Sequence, residues 1–424
     1  LCLIKIKNLS GNGEIIMIKG NAIIGQSGGP TSAINATLAG ILHSAENSSH
    51  IVEVFGMRNG IEGLLKEDIF KIRPLSEDEI FALSCTPSAV LGSCRKKLPD
   101  PYGDDTEEYE KIFSFFLRYD IRYFFYIGGN DSMDAVKKLT EYSKKINYEM
   151  VFMGVPKTID NDLEKTDHTP GFGSAAKYVA TVMQEISCDC AVYTVKAVTV
   201  VEVMGRDAGW LTAAAGLPRL IGEKTADLIY LPEVPFDEDR FIEDIKTLFS
   251  EKPNVVVAVS EGIKTAEGEY VGARAQSGVT DIFGHKYLAG TAKYLERLVR
   301  ERLGCKVRSV ELNIPQRCSA HCLSKRDIDE SFGIGKAAVS FSTRAATNDG
   351  YVTVLKRREG ETYRIEYDCV PISEVANLVK TVPVEMINEE KNNVKDELLE
   401  YLLPLIEGEI SLPREKGLPK HFKF

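Results

Sequence analysis

NAIIGQSGGPTSAINATLAGIL, residues 21–42, is the stretch that indicates the fold. Its first six residues are mostly apolar and read as a buried strand, which ends in a Ser-Gly-Gly-Pro turn at 27–30. Apolar side chains then recur at helical spacing, at Ile34, Leu38 and Ile41. The segment therefore predicts a strand, a glycine turn and a helix, which is the first half of a βαβ unit.

The same order of elements recurs along the chain. YFFYIGG (123–129) precedes a helical pattern, and VFMGVPKTID (151–160) is an apolar run that enters a polar loop. Two further apolar runs, TVVEVMG (199–205) and NVVVAVSEG (254–262), end in glycine-bearing loops. Strands that alternate with helices are typical of parallel sheets, so we predict an α/β fold whose two halves enclose a cleft. Ligands of such folds bind where the strands end, which makes these loops the candidate site.

Composition excludes several classes of function. The 424 residues carry 52 Lys and Arg against 62 Asp and Glu, a net charge of −10. The chain therefore lacks the broad basic surface by which proteins bind nucleic acid or anionic membranes. No apolar run approaches the roughly 20 residues that span a bilayer. We predict no nucleic-acid partner and no membrane association.

The cysteines and the N-terminus bear on location. Nine cysteines are scattered along the chain, and an odd number without a secretory signal favours free thiols in the reducing cytoplasm. Residues 1–16 show no targeting pattern, and Met17 begins a more ordinary start, MIKGNAIIGQSGG. We therefore expect a cytoplasmic protein in which 1–16 form a leader that is not necessarily native.

Two loops combine residues suited to phosphate chemistry. PKTIDND (156–162) places a lysine, a hydroxyl and two carboxylates within a few residues. A carboxylate can accept the proton of a hydroxyl that attacks phosphorus, while a lysine neutralises charge on the transferred group. GGNDS (128–132) adds Asn130 and Asp131, oxygen donors suited to Mg²⁺ held mainly through phosphates and waters. A solvated loop with an internal Lys–Asp pair is the purely structural alternative.

Other nucleotide motifs are not supported. Two G-x-G-x-x-A matches, at 171–176 and 333–338, follow polar stretches, whereas a dinucleotide fingerprint follows a strand. The sequence contains no G-x-x-x-x-G-K-[ST] motif. Phosphate binding must therefore use a loop of another kind. The turn at 27–30 is a candidate, because glycines let backbone N–H groups approach an anion near a helix N-terminus.

Seven segments, taken together, resemble the motifs of one enzyme family. They are GQSGGP (25–30), PSAVLGSCRK (87–96), IGGNDS (127–132), PKTIDND (156–162), VVEVMGRDAGW (200–210), VSEG (259–262) and RSVELNIPQR (308–317). In this order they are similar to the phosphofructokinase family over most of the chain. More narrowly, the chain resembles the pyrophosphate-dependent branch of that family.

The resemblance implies two doubly wound, Rossmann-like domains with mainly parallel sheets. The phosphoryl-donor domain comprises 17–173 and about 316–370, and the sugar-phosphate domain comprises 174–315 and about 371–424. The implied reaction is the reversible, Mg²⁺-dependent transfer of phosphate from pyrophosphate (diphosphate) to C1 of fructose 6-phosphate. The implied assembly is a homodimer or homotetramer, because Arg308 resembles a residue that crosses a subunit boundary in the family.

The resemblance also implies roles for individual residues. Asp160 matches the family's proton acceptor, Asp162 assists it, and Arg95 matches an arginine that reaches the transferred phosphoryl group. The implied donor contacts are Gly28, Gly29, Asn130 and Ser132, with Asn130 also the expected Mg²⁺ contact. The implied sugar-phosphate contacts are Thr158, Ile159, Met204, Gly205, Arg206, Glu261, Arg308 and Arg317. Arg308 and Arg317 form the expected 6-phosphate clamp, because a bidentate guanidinium suits a phosphate dianion.

Three departures from the ATP-dependent pattern favour pyrophosphate as the donor. Asp131 replaces a glycine, and its carboxylate repels the region where the α-phosphate of ATP lies. Lys157 also replaces a glycine and brings a cation to the transition state. Arg58 stands where an aromatic side chain would stack on adenine. We therefore expect Asp131 and Lys157 to act in catalysis. An ATP-dependent enzyme and a non-catalytic, sugar-phosphate-sensing subunit stay open as alternatives.

Overall fold

The structure is a computed structural model that describes residues 18–275, 290–360 and 362–424. The predicted leader, 1–16, lies outside the described residues. The strands are β1 (Gly20–Gln26), β2 (Ile51–Met57), β3 (Ile69–Lys71), β4 (Ile121–Gly128), β5 (Val151–Pro156), β6 (Ala197–Val203), β7 (Leu228–Tyr230), β8 (Asn254–Ser260), β9 (Lys306–Glu311), β10 (Gly350–Arg357), β11 (Ile365–Pro371), β12 (Arg414–Glu415) and β13 (Leu418–Pro419).

The α-helices are α1 (Ile34–Glu46), α2 (Gly60–Leu65), α3 (Glu77–Ser84), α4 (Glu107–Arg118), α5 (Asn130–Ile146), α6 (Phe172–Cys190), α7 (Trp210–Ala213), α8 (Glu238–Leu248), α9 (Thr291–Leu303), α10 (Pro315–Cys318), α11 (Lys325–Ser342) and α12 (Asp396–Leu402). Short 3₁₀ helices span Ala214–Ile221, Val271–Ala275, Ala320–Cys322, Ile372–Glu374, Val384–Met386 and Leu403–Ile406. In the part of the chain covered by these elements, no helix is both long and apolar enough to cross a membrane.

Seven strands form the larger sheet, in the order β11-β10-β5-β4-β1-β2-β3. The five inner strands run parallel, and the edge strands β3 and β11 are antiparallel to their neighbours. Because β2 and β4 flank β1 on opposite sides, the chain reverses its direction across the sheet there, and open α/β sheets bind ligands at such a point. The loops that follow β1 and β4 therefore lie side by side, where Gln26 pairs with Ile127.

Four parallel strands form the smaller sheet, in the order β7-β8-β6-β9. β6 and β8 end in register, with Val203 opposite Ser260, so the loops that carry Met204 and Glu261 are neighbours. The two sheets confirm the predicted α/β fold with mainly parallel sheets. β10 and β11 return the chain to the larger sheet after the smaller one is complete. The predicted domain boundaries stay a prediction.

Apolar side chains cover both faces of the larger sheet. Phe124 and Phe152 belong to one cluster, while their chain neighbours Phe125 and Met153 belong to another. This alternation follows from the pleat, because successive residues of a strand point to opposite faces. The apolar positions that recur at helical spacing on α1 and α5 are buried. Each face of the sheet is therefore closed by helices, as a layered α/β domain requires.

The helices α1 and α11 cross at glycines. A Cβ on Gly40 would lie 2.0 Å from the Phe332 carbonyl oxygen, and one on Gly335 would lie 2.2 Å from the Thr37 carbonyl oxygen. Neither position has room for a side chain. Gly335 belongs to the second G-x-G-x-x-A match, so this glycine serves helix packing. The first match lies at the start of α6, where Gly171 is the N-cap residue.

Three residues separate the glycine turn at 27–30 from helix α1, which begins at Ile34 as the apolar spacing predicts. Thr31 Oγ1 accepts the Ile34 N–H at 3.0 Å. The threonine hydroxyl thus satisfies one of the backbone N–H groups that the first turn of a helix leaves without a partner. The helix-dipole argument applies also to α5, whose first turn contains Asn130 and Asp131.

Candidate active site

Loops from both sheets enclose a cleft of about 480 Å³. They follow β1, β4 and β5 of the larger sheet and β6 and β8 of the smaller sheet. All of the predicted site residues line this cleft except Gly205 and Arg308. The predicted residues that line it are Gly28, Gly29, Arg95, Asn130, Asp131, Ser132, Lys157, Thr158, Ile159, Asp160, Asp162, Met204, Arg206, Glu261 and Arg317.

Lys157 is buried beside the glycine turn. It is 2% exposed, and its Nζ donates to the Gly29 carbonyl oxygen at 2.6 Å. Gly28 has a φ of 76°, and a Cβ there would lie 3.4 Å from this Nζ, so glycine leaves the space to the ammonium. Burial lowers the pKa of Lys157 to about 8, although the nearby Asp160 acts in the opposite direction. A buried cation of this kind favours an anionic ligand.

The N–H of Gly28 is already used within the protein. It donates to the Cys94 carbonyl oxygen at 3.1 Å, and Ser93 Oγ donates to the Gly28 carbonyl oxygen at 2.6 Å. Gly28 is therefore required for the shape of the turn, and its N–H already has a hydrogen-bond partner within the protein. The same hydrogen bonds tie the turn to the segment that brings Arg95 into the cleft.

Asn130 and Asp131 begin helix α5 at the side of the cleft formed by the larger sheet. The Asn130 amide is committed at both ends: its oxygen accepts the Asn377 N–H at 2.6 Å, and its nitrogen donates to the Leu378 carbonyl oxygen at 2.7 Å. Asp131 is half exposed, and its carboxylate lies 3.7 Å from Lys97 Nζ. The geometry thus gives Asn130 a role in holding residues 377–378, and the predicted metal contact of Asn130 stays a prediction.

The acid loop, residues 156–162, carries both carboxylates at the end of β5. The Asp160 N–H donates to Thr158 Oγ1 at 3.1 Å, which fixes the turn between them. Burial and the negative charge of Glu261 raise the pKa of Asp160. Burial and the negative charge of Asp160 raise the pKa of Asp162. Because burial and neighbouring negative charges make the charged forms of both carboxyls less stable, they hold a proton more readily than isolated carboxyls do. This property suits general acid–base chemistry.

The side of the cleft formed by the smaller sheet and the segment after β9 combines a carboxylate with two guanidinium groups. Burial raises the pKa of Glu261 to about 7, and the Gly205 N–H donates to its Oε1 at 3.4 Å. Gly205 therefore does not line the cleft itself but holds the Glu261 carboxylate, which does. Arg206 and Arg317 each have a buried Nε that meets no hydrogen-bond partner among the described residues. Buried donors are rarely left unpaired, so these two groups point to a ligand with acceptor oxygens.

Arg317 also approaches the glycine turn of the larger sheet. A Cβ on Gly29 would lie 3.2 Å from its Nη1, so the glycine allows the guanidinium to approach the turn. Positive charge from Arg317 acts on Asp160 and Glu261, lowering the pKa of each against the effect of burial. The guanidinium therefore lies between the glycine turn, the acid loop and Glu261.

Two arginines discussed from the sequence lie outside the cleft. Arg308, on β9, is half exposed and pairs with Asp189 at 3.5 Å, so it does not join Arg317 within its own chain. Arg58 lies 4.5 Å from the centre of the Phe70 ring and 3.7 Å from Asp68, and it is not among the residues lining the cleft. Of the three departures that favour pyrophosphate, only those at 131 and 157 therefore lie in the cleft.

Several lining residues were not predicted from the sequence. They are Thr31, Cys94, Lys96, Gly129, Asp207, Ala208, Asn313 and Ile314, whereas Ser27 and Pro30, which also line the cleft, belong to the predicted turn. Each of them lies next to a predicted site residue in the sequence or within a few positions of one. Their proximity in sequence to predicted site residues was the signal that could have identified them. Two of them are charged: Lys96, next to Arg95, and Asp207, next to Arg206.

The residues at the N-terminus of α5 fit a magnesium ion that is held mainly through a bound phosphate ligand. Mg²⁺ usually keeps several waters and binds one or two carboxylates together with phosphate oxygens. Among the described residues, no group of three or more His, Cys, Asp or Glu side chains is arranged to hold a metal ion. The half-exposed carboxylate of Asp131 lines the cleft and is the kind of single ligand that such an ion needs.

Comparisons with known proteins agree with one another. A family model described as phosphofructokinase matches residues 21–336. The pyrophosphate–fructose 6-phosphate 1-phosphotransferases of Methylococcus capsulatus and Halomonas elongata are each 38% identical to this chain, over 95% of it and 95% and 96% of their own lengths. The crystal structure of a pyrophosphate-dependent phosphofructokinase from Nitrosospira multiformis superposes with a TM-score of 0.85 at 36% identity, covering 95% of this chain and 96% of that one. The chain therefore belongs to the phosphofructokinase family.

Proposed function

We propose that this protein catalyses the reversible transfer of a phosphoryl group from pyrophosphate to the C1 hydroxyl of fructose 6-phosphate, with Mg²⁺. The names of the similar proteins support this activity over nearly the whole chain. The observation that carries the proposal is the position of Lys157. Its buried ammonium reaches from the acid loop to the Gly29 carbonyl oxygen of the glycine turn, and the proposed path of the phosphoryl group runs beside it.

Asp160 is the proposed general base. In the forward direction its carboxylate accepts the proton of the C1 hydroxyl while the oxygen of that hydroxyl forms a bond to phosphorus. The bond from phosphorus to the bridging oxygen of pyrophosphate breaks, and inorganic phosphate leaves. In the reverse direction the protonated Asp160 returns the proton. Its raised pKa supports both roles, because neither form of the carboxyl is strongly disfavoured near neutral pH.

Charge neutralisation at the transferred phosphoryl group is the proposed task of Lys157 and Arg95. Phosphoryl transfer depends mainly on positioning and on stabilisation of charge spread over the phosphoryl oxygens. A desolvated ammonium interacts more strongly with such charge than a solvated one does. Mg²⁺, when bound through the donor oxygens with Asp131 as the proposed protein ligand, supplies further neutralisation of the donor.

The assembly and the location are part of the proposal. Because Arg308 lies outside the cleft of its own chain, we propose a homodimer or homotetramer in which Arg308 of one copy completes the 6-phosphate clamp of another. The two proposed domains are those predicted from the sequence, 17–173 with about 316–370 and 174–315 with about 371–424. The proposed location is the cytoplasm, which the eight unpaired cysteines among the described residues support.

The proposal is tested by removing the two residues that set the donor. Steady-state rates of the wild type, Asp131→Gly and Asp131→Gly/Lys157→Gly are measured with pyrophosphate and with ATP at fixed fructose 6-phosphate and Mg²⁺. We expect the double variant to lose at least about 100-fold in kcat/KM for pyrophosphate, because one buried charge contact to a transition state is worth about this much. Undiminished use of pyrophosphate by the double variant would contradict the proposed roles, and a wild type that uses ATP alone would contradict the proposed donor.

A further inference from the structure

A single segment near the C-terminus connects the donor helix, the acid loop and the sugar side of the cleft. We call residues 377–382 the strap. At its start the Asn377 N–H and the Leu378 carbonyl oxygen bond the Asn130 amide, and Asn377 Nδ2 donates to Asp134 Oδ1 at 3.0 Å. The strap is therefore fixed to the first turns of α5.

The other end of the strap is fixed to the loop that follows β6. The Val382 N–H donates to Glu233 Oε1 at 2.9 Å, and the same oxygen accepts the Gly209 N–H at 2.7 Å. Trp210 Nε1 donates to the Lys380 carbonyl oxygen at 3.0 Å. Lys380 thus lies in the middle of a segment that both sides of the cleft hold in place.

Lys380 holds the acid loop from behind. Its backbone N–H donates to the Asp162 carbonyl oxygen at 2.8 Å. Its ammonium meets three oxygens: Asn161 Oδ1 at 3.4 Å, the Thr166 carbonyl oxygen at 3.0 Å and the Asp167 carbonyl oxygen at 2.7 Å. An ammonium has three N–H donors and no acceptor, so this arrangement uses every donor that the side chain has.

We infer that Lys380 is a positioning residue for phosphoryl transfer, which fixes the backbone on both sides of Asp162 so that the two carboxylates of the acid loop face the cleft. The inference rests on the proposed function. Asn161 has a φ of 56°, a left-handed conformation that the bond from Lys380 to its side chain helps to hold. Lys380 does not line the cleft, so it acts through the loop and not on the substrates.

The charge of Lys380 supports the same role. Its positive charge, like that of Lys157, lowers the pKa of Asp162 against the effects of burial and of Asp160. Burial in turn lowers the pKa of Lys380 to about 8, although surrounding carboxylates act in the opposite direction. The charged groups that act on Lys380 or on the two carboxylates are Lys157, Asp160, Asp162, Glu164, Asp167, Arg206, Glu261, Arg317 and Arg357.

The test compares Lys380→Met, which keeps an unbranched side chain of similar length without charge, with Lys380→Arg, which keeps the charge. Lys391→Met, at an exposed position beyond the strap, is the matched control. For each full-length variant, kcat and KM for both substrates are measured from pH 5.5 to 9 with pyrophosphate as donor. Thermal unfolding is followed by circular dichroism.

We expect Lys380→Met to lose about 30- to 100-fold in kcat, since a displacement of about 1 Å at a reacting group has this effect. KM for both substrates should change by less than about threefold, because the substrate-binding groups stay in place. The fall of kcat at low pH should move to higher pH by about one unit, because a lost cation raises the pKa of the carboxylates. Lys380→Arg should recover most of the rate and the wild-type pH profile, and Lys391→Met should match the wild type.

Two results would overturn the inference. One is a Lys380→Met variant with wild-type kcat and pH profile. The other is a loss of kcat without a shift of the profile and without recovery in Lys380→Arg, which is what a merely structural residue would give. If Lys380→Met does not fold, Lys380→Gln, whose amide still donates two hydrogen bonds, is judged by the same readouts. A wild type without pyrophosphate activity would instead contradict the proposed function.

Discussion

At the scale of single residues, burial shifts the pKa values of the acid loop in opposite directions. It lowers the pKa of Lys157 and raises the pKa values of Asp160 and Asp162. The cause is the same for all three groups, because the charged form of any side chain is less stable away from water. The two carboxyls therefore take up and release a proton more readily near neutral pH, as proton transfer requires, and Lys157 loses its charge at a lower pH than a solvated lysine does.

The Asp160→Asn variant tests two claims: that Asp160 is the general base, and that burial of its carboxylate lowers the stability of the fold. We expect kcat to fall by about 1,000-fold or more, with the affinity for fructose 6-phosphate retained, because only the proton acceptor is lost. A carboxyl whose folded pKa is raised contributes stability at low pH that is lost as the pH rises through that pKa. The variant should therefore melt above the wild type at pH 8, and the difference should shrink at pH 5. Calorimetry checks this, with the exposed Asp329→Asn as control; an unchanged kcat would contradict the assignment.

The pH profile of kcat/KM for pyrophosphate should be bell-shaped. On the acid side the rate falls as the coupled carboxylates of the acid loop take up protons, at a pH above that of ordinary aspartates because their pKa values are raised. On the alkaline side it falls above about pH 8, where Lys157 of the free enzyme loses its charge. Initial rates from pH 5 to 9.5 measure both limbs. A rate that stays level between pH 8 and 9.5 would contradict the role of the Lys157 cation.

At the scale of elements, the sequence predicts those parts whose signal is local. α1 and α5 show apolar positions at helical spacing, and β1, β4 and β5 are short apolar runs before loops with glycine or acidic residues. β11 lacks such a signal, because as an antiparallel edge strand it is only partly buried along its whole length. α1 begins at Ile34, the first of its predicted apolar positions, so this boundary also follows from the local pattern.

The crossing of α1 and α11 gives a prediction at this scale. Gly335→Ala forces a methyl group against the Thr37 carbonyl oxygen, and such overpacking costs about 1–3 kcal/mol. Lys336→Ala, one residue along the same helix and exposed, should change stability by less than about 0.5 kcal/mol. Urea unfolding of both variants measures the difference. Equal stability of Gly335→Ala and the wild type would show that the helices can separate without cost.

At the scale of the whole molecule, the cleft joins residues that no local pattern connects. The acid loop and the glycine turn could be predicted, because each carries its chemistry within a few residues. Lys380 could not, since its three oxygen partners lie 213 to 219 positions away and a single lysine in a polar segment carries no signal. The position of Arg308 outside its own cleft likewise depends on how the smaller sheet is oriented, and not on the RSVELNIPQR segment itself.

A mixed oligomer tests whether Arg308 serves a neighbouring subunit. Asp160→Asn and Arg308→Ala are each expected to be nearly inactive. When the two chains are co-expressed, a mixed dimer contains one site with Asp160 intact and Arg308 supplied by the other chain. Random pairing should restore about a quarter of the wild-type rate, because half of the dimers are mixed and each has one complete site. If the mixture is as inactive as its parents, Arg308 does not act across an interface.

Phosphorus NMR of one competition reaction tests the central claim most directly. The wild-type protein is mixed with Mg²⁺, fructose 6-phosphate and equal concentrations of pyrophosphate and ATP, and all phosphorus signals are followed together. The account predicts that the pyrophosphate signal disappears, that inorganic phosphate and a C1 phosphate ester appear in equal amounts, and that the ATP signals stay unchanged. Consumption of ATP with pyrophosphate left intact would contradict it.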